Sequence, residues 1–403
     1  MRTSHLLRGG AAFAALALAL TACGSDDTDE SADQPADSNA AAEDAAGSTG
    51  TTVDHPLVLT YDGGLLVLDG ETLEVAEDIP LDGFNRINPA GDDDHLLVST
   101  ATGFRVLDAT GAELTEDEFP GEKPGHVVRH GGNTVLFADG TGEVTAFDPH
   151  GLGDGLPATE TYQAAEAHHG VAVTLDSGEL LVTLGTEESR SGAVVLAEDW
   201  TEEIARNEEC PGVHGETVAQ NEAVLVGCEN GALIYQDGEF TKVTSPTDYG
   251  RIGNVAGSEE SPIVLGDYKQ DPDAELERPE QVSLVNTATG ELELVDLGTS
   301  YTFRSLARGP HGEALVLGTD GALHVIDPET AEVTERIEVL GEWQEPLEWQ
   351  QPRPALFVRD HTAFVTDPEE REIHAIDIES GEILTTAELP QAPNEISGVV
   401  HQH

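Results

Sequence analysis

The chain has 403 residues, with 78 Asp and Glu against 18 Lys and Arg, for a formal net charge of −60. A protein this acidic has no basic footprint with which to release counterions from phosphate, which argues against any nucleic-acid partner. The acidic residues are spread along the whole length, an arrangement that serves solubility and attracts cations as a by-product.

The N-terminus opens with Arg2 and Arg8 and continues into the apolar stretch from Ala11 to Leu20. About ten apolar residues are too few to cross a bilayer, and small residues follow, so residues 1–22 are predicted to be a signal peptide. Leu20-Thr21-Ala22-Cys23-Gly24 resembles a lipobox, in which Cys23 would carry the lipid and become the new N-terminus. Acyl chains anchor a protein through about 0.8 kcal/mol per buried methylene, so the lipid is the expected link to the membrane. Residues 23–54 are Ser, Asp, Glu, Ala, Gly and Thr with little to bury, and no Lys or Arg occurs between Arg8 and Arg86. Such a segment cannot offset its conformational entropy and is predicted to be a disordered, self-repelling tether.

From His55 to His403 the pattern is all-β: short Val, Leu and Ile runs alternate with Gly, Asp, Asn and Pro turns. One strand-ending phrase recurs, as in Val67-Leu68-Asp69-Gly70, Val106-Leu107-Asp108-Ala109, Ala146-Phe147-Asp148-Pro149, Val325-Ile326-Asp327-Pro328 and Ala375-Ile376-Asp377-Ile378, with Leu284-Val285-Asn286-Thr287 as a variant. Each reads as a third strand entering a tight Asx-type turn. Candidate inner strands begin near Phe84, Gly125, Ala165, Gly212, Arg251, Phe303, Arg353 and Glu395. Their spacing of about 40 to 50 residues is that of propeller blades. The expected fold is therefore one β-propeller of eight blades, with seven the alternative, closed by pairing the N- and C-terminal strands.

Beyond Cys23 the cysteines are Cys210 and Cys228, an even pair expected to form a disulfide between neighbouring strands of one blade in an exported protein. The inner-strand starts bring together Gly125-His126, Glu166-Ala167-His168-His169 and Val213-His214-Gly215-Glu216 from consecutive blades. Neutral imidazole is the commonest transition-metal ligand, and three His with one carboxylate would complete a tetrahedral shell suited to zinc. Glu166 and Glu216 are the nearest acidic candidates. His168 and His169 would point to opposite faces of a strand, whereas in a turn both could bind. Arg86, Arg304 and Arg353 on other blades would either form a cationic part of the funnel or pair with carboxylates. His95, His130, His311 and His361 fall between first and second strands and read as structural. His55 and the terminal His401 and His403 read as frayed ends with at most weak metal capture.

Three segments, Pro124-Gly125-His126-Val127-Val128-Arg129-His130, Ala167-His168-His169-Gly170-Val171-Ala172-Val173 and Cys210-Pro211-Gly212-Val213-His214-Gly215-Glu216, resemble the AztD family of zinc metallochaperones. The resemblance runs over the whole expected propeller. It implies a protein outside the cytoplasmic membrane that binds zinc through residues among His126, His168, His169 and His214. It also implies delivery to the solute-binding protein of a zinc ABC importer, with no enzymatic chemistry, and a monomer is expected. Family members often carry a His-rich N-terminal stretch; here that region is an acidic tract with His55 alone.

Two other classes compete with this reading. Quinone-dependent dehydrogenases and lactonases share the strand pattern, but only Trp200, Trp343 and Trp349 are present, without a Trp-rich motif in each blade. The other is a metal-free scaffold whose channel histidines are merely packed.

Overall fold

The structure is a computed structural model that describes residues 52–400. The expected signal peptide, Cys23, all but the end of the expected tether and His401 to His403 lie outside the described residues.

Strands with both faces covered need near-continuous apolar runs rather than alternation. Leu57–Tyr61 (LVLTY), Gly64–Leu68 (GLLVL) and Ala223–Cys228 (AVLVGC) are of this kind, and nearly every residue in them is buried. Leu57, Leu59, Leu65, Leu66 and Leu68 are each 0% exposed. Each contributes about 1.5–3 kcal/mol by leaving water. The outermost strands differ: Val75–Pro80, Glu332–Glu338 and Ile383–Glu388 are largely exposed, and the first two are acidic. The charge thus sits on the rim, where it also discourages edge-to-edge pairing of outer strands.

The strands form eight antiparallel sheets arranged as the blades of a propeller, as expected. Blade 1 combines the two ends of the domain, with Ile396–Gly398 as its inner strand beside Leu57–Tyr61 in the register Leu57↔Gly398 and Leu59↔Ile396. Blades 2 to 8 follow in chain order, with inner strands Arg86–Pro89, Pro124–His130, Ala172–Thr174, His214–Ala219, Val255–Ser258, Leu306–Arg308 and Leu356–Arg359. The recurrent phrase does end the third strand of its blade. Asp69 accepts from the Glu71 and Thr72 amides at 3.1 and 2.8 Å, and Asp327 and Asp377 make equivalent turns.

Three details differ from the sequence reading. The inner strand of blade 4 starts at Ala172, not near Ala165, because residues 164–171 are a connection between blades with no strand pairing. Val53 is 3% exposed and its amide donates to the Thr110 carbonyl, so packing starts two residues ahead of His55. Cys210 and Cys228 are bonded at 1.99 Å, but Cys210 precedes the blade 5 inner strand and only Cys228 lies on a strand. The disulfide closes a loop with a separation of 18 residues, worth about 3 kcal/mol through the unfolded chain.

In a four-stranded meander the start of the inner strand, the turn between strands two and three, and the connection from the previous blade all lie at one end. The turns between strands one and two and between strands three and four lie at the other. His126, His168, His169, His214, Glu166 and Glu216 belong to the first end, called here the upper end.

Candidate metal centre

Blades 3, 4 and 5 each send one imidazole to the upper channel mouth, and local backbone irregularities aim two of them. The register of the blade 3 inner strand slips between Pro124 and Val127, and that of blade 5 between His214 and Glu216. Each slip inserts one extra residue opposite the partner strand, a β-bulge, which re-aims the side chains around it. His126 and His214 lie at these bulges. Gly215 carries the blade 5 bulge at φ +75°, and a Cβ there would lie 2.5 Å from the Gly253 carbonyl oxygen. His169 needs no strand, because it sits in the connection into blade 4.

The three rings form a compact triangle, with centroids 5.1 Å apart for His126 and His169, 5.4 Å for His126 and His214, and 5.0 Å for His169 and His214. Their donor nitrogens lie within 4.8 Å of one another. His169 Nδ1 donates to Asp139 Oδ2 at 2.5 Å, and His214 Nδ1 donates to the Gly253 carbonyl at 2.5 Å. That carbonyl is itself held in place, since Asp267 accepts from the Gly253 and Asn254 amides at 2.6 and 3.0 Å. Both Nδ1 protons being committed, the Nε2 atoms of His169 and His214 face one another at 3.0 Å. Two imidazole lone pairs at that distance repel unless a cation, either a proton or a metal ion, sits between them. Tetrahedral zinc with bonds of about 2.0–2.1 Å would separate such nitrogens by about 3.3 Å. Burial, with smaller contributions from His126, His169 and Arg251, pushes the His214 imidazole down to about 2, so it stays a neutral donor.

Glu216, from the same strand as His214, places Oε2 3.3 Å from His126 Nδ1. It therefore stands beside one imidazole, where a metal-ligating histidine usually keeps its orienting carboxylate. Glu216 and His126 have side chains only 14% and 19% exposed, whereas His169 is 43% exposed and opens the site to solvent.

The other two expected residues are not brought in. His168 is buried with Nδ1 2.9 Å from the Glu166 carbonyl and Nε2 3.1 Å from the Thr183 carbonyl, and its ring meets Phe137 edge-on. Both nitrogens are engaged by backbone, and the ring packs between blades. Glu166 is exposed beside Glu187 and Glu188, away from the imidazoles. Sequence reading missed Asp139 and the Gly253 carbonyl. Asp139 carried a faint signal as the Asp-Gly turn of the blade 3 hairpin, while nothing marked Gly253.

The arginines expected in the funnel take the paired alternative. Arg86 Nε and Arg304 Nη2 reach Glu395 Oε1 at 3.1 and 3.0 Å, and Arg353 Nη1 reaches Glu345 at 2.8 Å. His95 is bonded to Asp92 at 2.6 Å and His130 to Glu222 at 3.0 Å, in keeping with structural roles.

Fold and site together define an eight-bladed propeller with an imidazole triangle at one mouth of its channel. In sequence and in fold the chain resembles the AztD zinc chaperones. It is 23% identical over 309 residues to the zinc chaperone AztD of Citrobacter koseri, spanning 73% of this chain and 71% of that protein. The structure of apo AztD from the same organism superposes with a TM-score of 0.74 at 20% identity, covering 85% of this chain and 97% of the other. A second crystal structure of that protein gives 0.73 at 19%, covering 86% and 98%. A dihydro-heme d1 dehydrogenase, NirN, shares the propeller at a TM-score of 0.58 and 12% identity, covering 86% and 76%, a likeness of fold alone. No family model matches the chain.

Proposed function

We propose that this chain is an extracytoplasmic zinc metallochaperone that hands its metal to the solute-binding protein of a zinc ABC importer. The observation that carries the reading is the facing pair of Nε2 atoms on His169 and His214, with His126 completing the triangle. Three neutral nitrogens and one open position suit zinc. The donor set is His126, His169 and His214; Glu216 orients His126, and His168 and Glu166 stand outside it.

The open position gives the cargo a way out. A ligand from a docked acceptor enters there, and the imidazoles are then displaced one at a time, so the metal never passes through free solution. No covalent bond of the protein changes. The likeness to AztD supports the zinc assignment, and the Cys210–Cys228 bond is consistent with an oxidising compartment. In the same reading the signal peptide is removed, Cys23 is lipidated, and the acidic segment lets a monomeric propeller search the membrane surface.

The test loads the purified protein with one equivalent of zinc and mixes it with an apo solute-binding protein and a competing chelator. Transfer is expected to outrun release into the chelator alone. Equal rates would reject direct handover, and absence of stoichiometric zinc would reject the carrier altogether. Since each ligand must be deprotonated, affinity at pH 5 should fall below that at pH 7.5; an unchanged value would exclude an imidazole site.

A further inference from the structure

The lower end of the propeller carries another convergence of imidazoles. His311 lies in the turn between strands one and two of blade 7, His361 in the equivalent turn of blade 8, and Glu379 in the turn after strand three of blade 8. Glu379 Oε1 stands 3.4 Å from His311 Nε2 and 3.2 Å from His361 Nδ1, and the two rings are 5.6 Å apart. One donor atom from each lies within 4.8 Å of the others. The three side chains are 63%, 53% and 61% exposed and belong to neither the channel nor the upper mouth.

We propose that His311, His361 and Glu379 form a second zinc-binding site, open to solvent, on the face opposite the imidazole triangle. Two neutral imidazoles and one carboxylate are a donor set that zinc accepts, with water filling the remaining position. The turns that carry them are pinned before any metal arrives. The Gly309 amide donates to the Glu313 carbonyl at 2.9 Å, the His311 amide to Glu313 Oε2 at 3.0 Å, and the Ile378 amide to the His361 carbonyl at 3.0 Å. Such preorganisation lowers the ordering cost of binding.

The contrast with His130, Asp176 and Glu222, also at the lower end, separates a site from a latch. There Glu222 Oε1 already accepts from the Asp176 amide at 2.5 Å and from His130 at 3.0 Å, so the carboxylate ties three blades together and one imidazole remains. Glu379 has no such backbone duty among the described residues, and two imidazoles share its single oxygen. Exposure leaves the lower site weaker than the triangle, because water and salt screen its charges. It stands independently of the proposed chaperone role.

Zinc protection of single histidines tests this on the full chain without interference from the acidic tether. Apo protein is titrated with zinc and modified briefly with diethyl pyrocarbonate, and each histidine's reactivity is read from its peptide mass. His311 and His361 are expected to lose reactivity together, over one concentration range at least tenfold above that protecting His169. Glu379→Gln should move that range at least tenfold higher, while His126→Ala with His214→Ala should leave it in place even as the protection of His169 is lost. The inference falls if His311 and His361 stay as reactive as exposed His150 throughout, or if Glu379→Gln is protected over the parent's range. A parent protein in which zinc protects His311 and His361 but never His169 would support the lower site and count against the channel site alone.

Discussion

At the upper mouth, one half of the ring answers its charges internally and the other half leaves a pair of lone pairs exposed to each other. In blades 7, 8, 1 and 2, Glu395 receives Arg86 and Arg304, the Ile87 amide adds a contact at 3.4 Å, and Arg304 also donates to the Asn394 carbonyl at 2.8 Å. Arg353 binds Glu345 and the Glu348 carbonyl, both at 2.8 Å, and both Arg304 and Arg353 lie 5.0 Å from the Phe303 ring. Among the buried side-chain atoms of these groups, Arg304 Nε alone lacks a partner. In blades 3, 4 and 5 the Nδ1 atoms of His169 and His214 are satisfied and the Nε2 atoms converge. The same place in the blade thus serves as a clamp on one side and as a site on the other. What separates them is whether the inward-facing atoms already have partners.

The largest effect should come from removing the converging atoms. His126→Ala combined with His214→Ala is expected to weaken zinc binding at least a thousandfold, about 4 kcal/mol, measured by chelator competition. Glu395→Ala, on the other half, is expected to do the reverse. Its partner Arg304 is 6% exposed and would be left buried and unpaired, a loss of about 3 kcal/mol in unfolding free energy with zinc affinity unchanged. If Glu395→Ala weakened zinc as strongly as the histidine pair, the two halves would not be separable.

The difference between the halves was only partly legible in the sequence. Eight blades followed from the spacing of the inner-strand starts, and the recurring Asx phrase marked six of the third strands, because a turn that must accept two amides demands Asp or Asn at one place. Both bulged histidines sit beside a glycine, Gly215 for the positive φ of its bulge and Gly125 because a Cβ there would meet the Asp139 carboxylate. His168 and His169 could not be told apart, because neither lies on a strand. Their fates are set by Phe137 and Thr183 on one side and Asp139 on the other, contacts separated by 15 to 31 residues in the chain. His311 and His361 read as structural for the same reason, since the trio's members come from three turns in two blades and nothing local ties them to Glu379. Glu166, chosen for closeness in sequence to His168 and His169, faces solvent with other carboxylates.

Asp139 tests whether orientation matters apart from ligation. It accepts from His169 Nδ1 and, through Oδ1, from the Gly170 amide at 3.3 Å, and a Cβ on Gly125 would meet the same oxygen at 2.2 Å. Asp139→Ala keeps all three imidazoles but releases the tautomer and tilt of one. Zinc affinity should drop about 10- to 100-fold. His168→Ala, one residue from His169, should cost stability and leave zinc binding at the parent's value.

The smallest effect concerns the apo protein in acid. The unfolded chain protonates His214 near the ordinary imidazole value of about 6.5, while the folded protein holds it down to about 2. Between those values the unfolded state binds the extra proton, so unfolding free energy falls as pH falls, and above the upper value this group contributes no pH dependence. One unit below the upper value the loss is about 1.4 kcal/mol, the worth of one pH unit. Denaturant unfolding of metal-free parent and His214→Gln at pH 7.5 and 5.5 isolates it. The parent should lose about 1.4 kcal/mol more than the variant between the two pH values, because glutamine has no proton to gain. An equal loss in both would mean that His214 is protonated as readily in the folded channel as in the open chain, and the facing nitrogens would then hold a proton rather than await a metal.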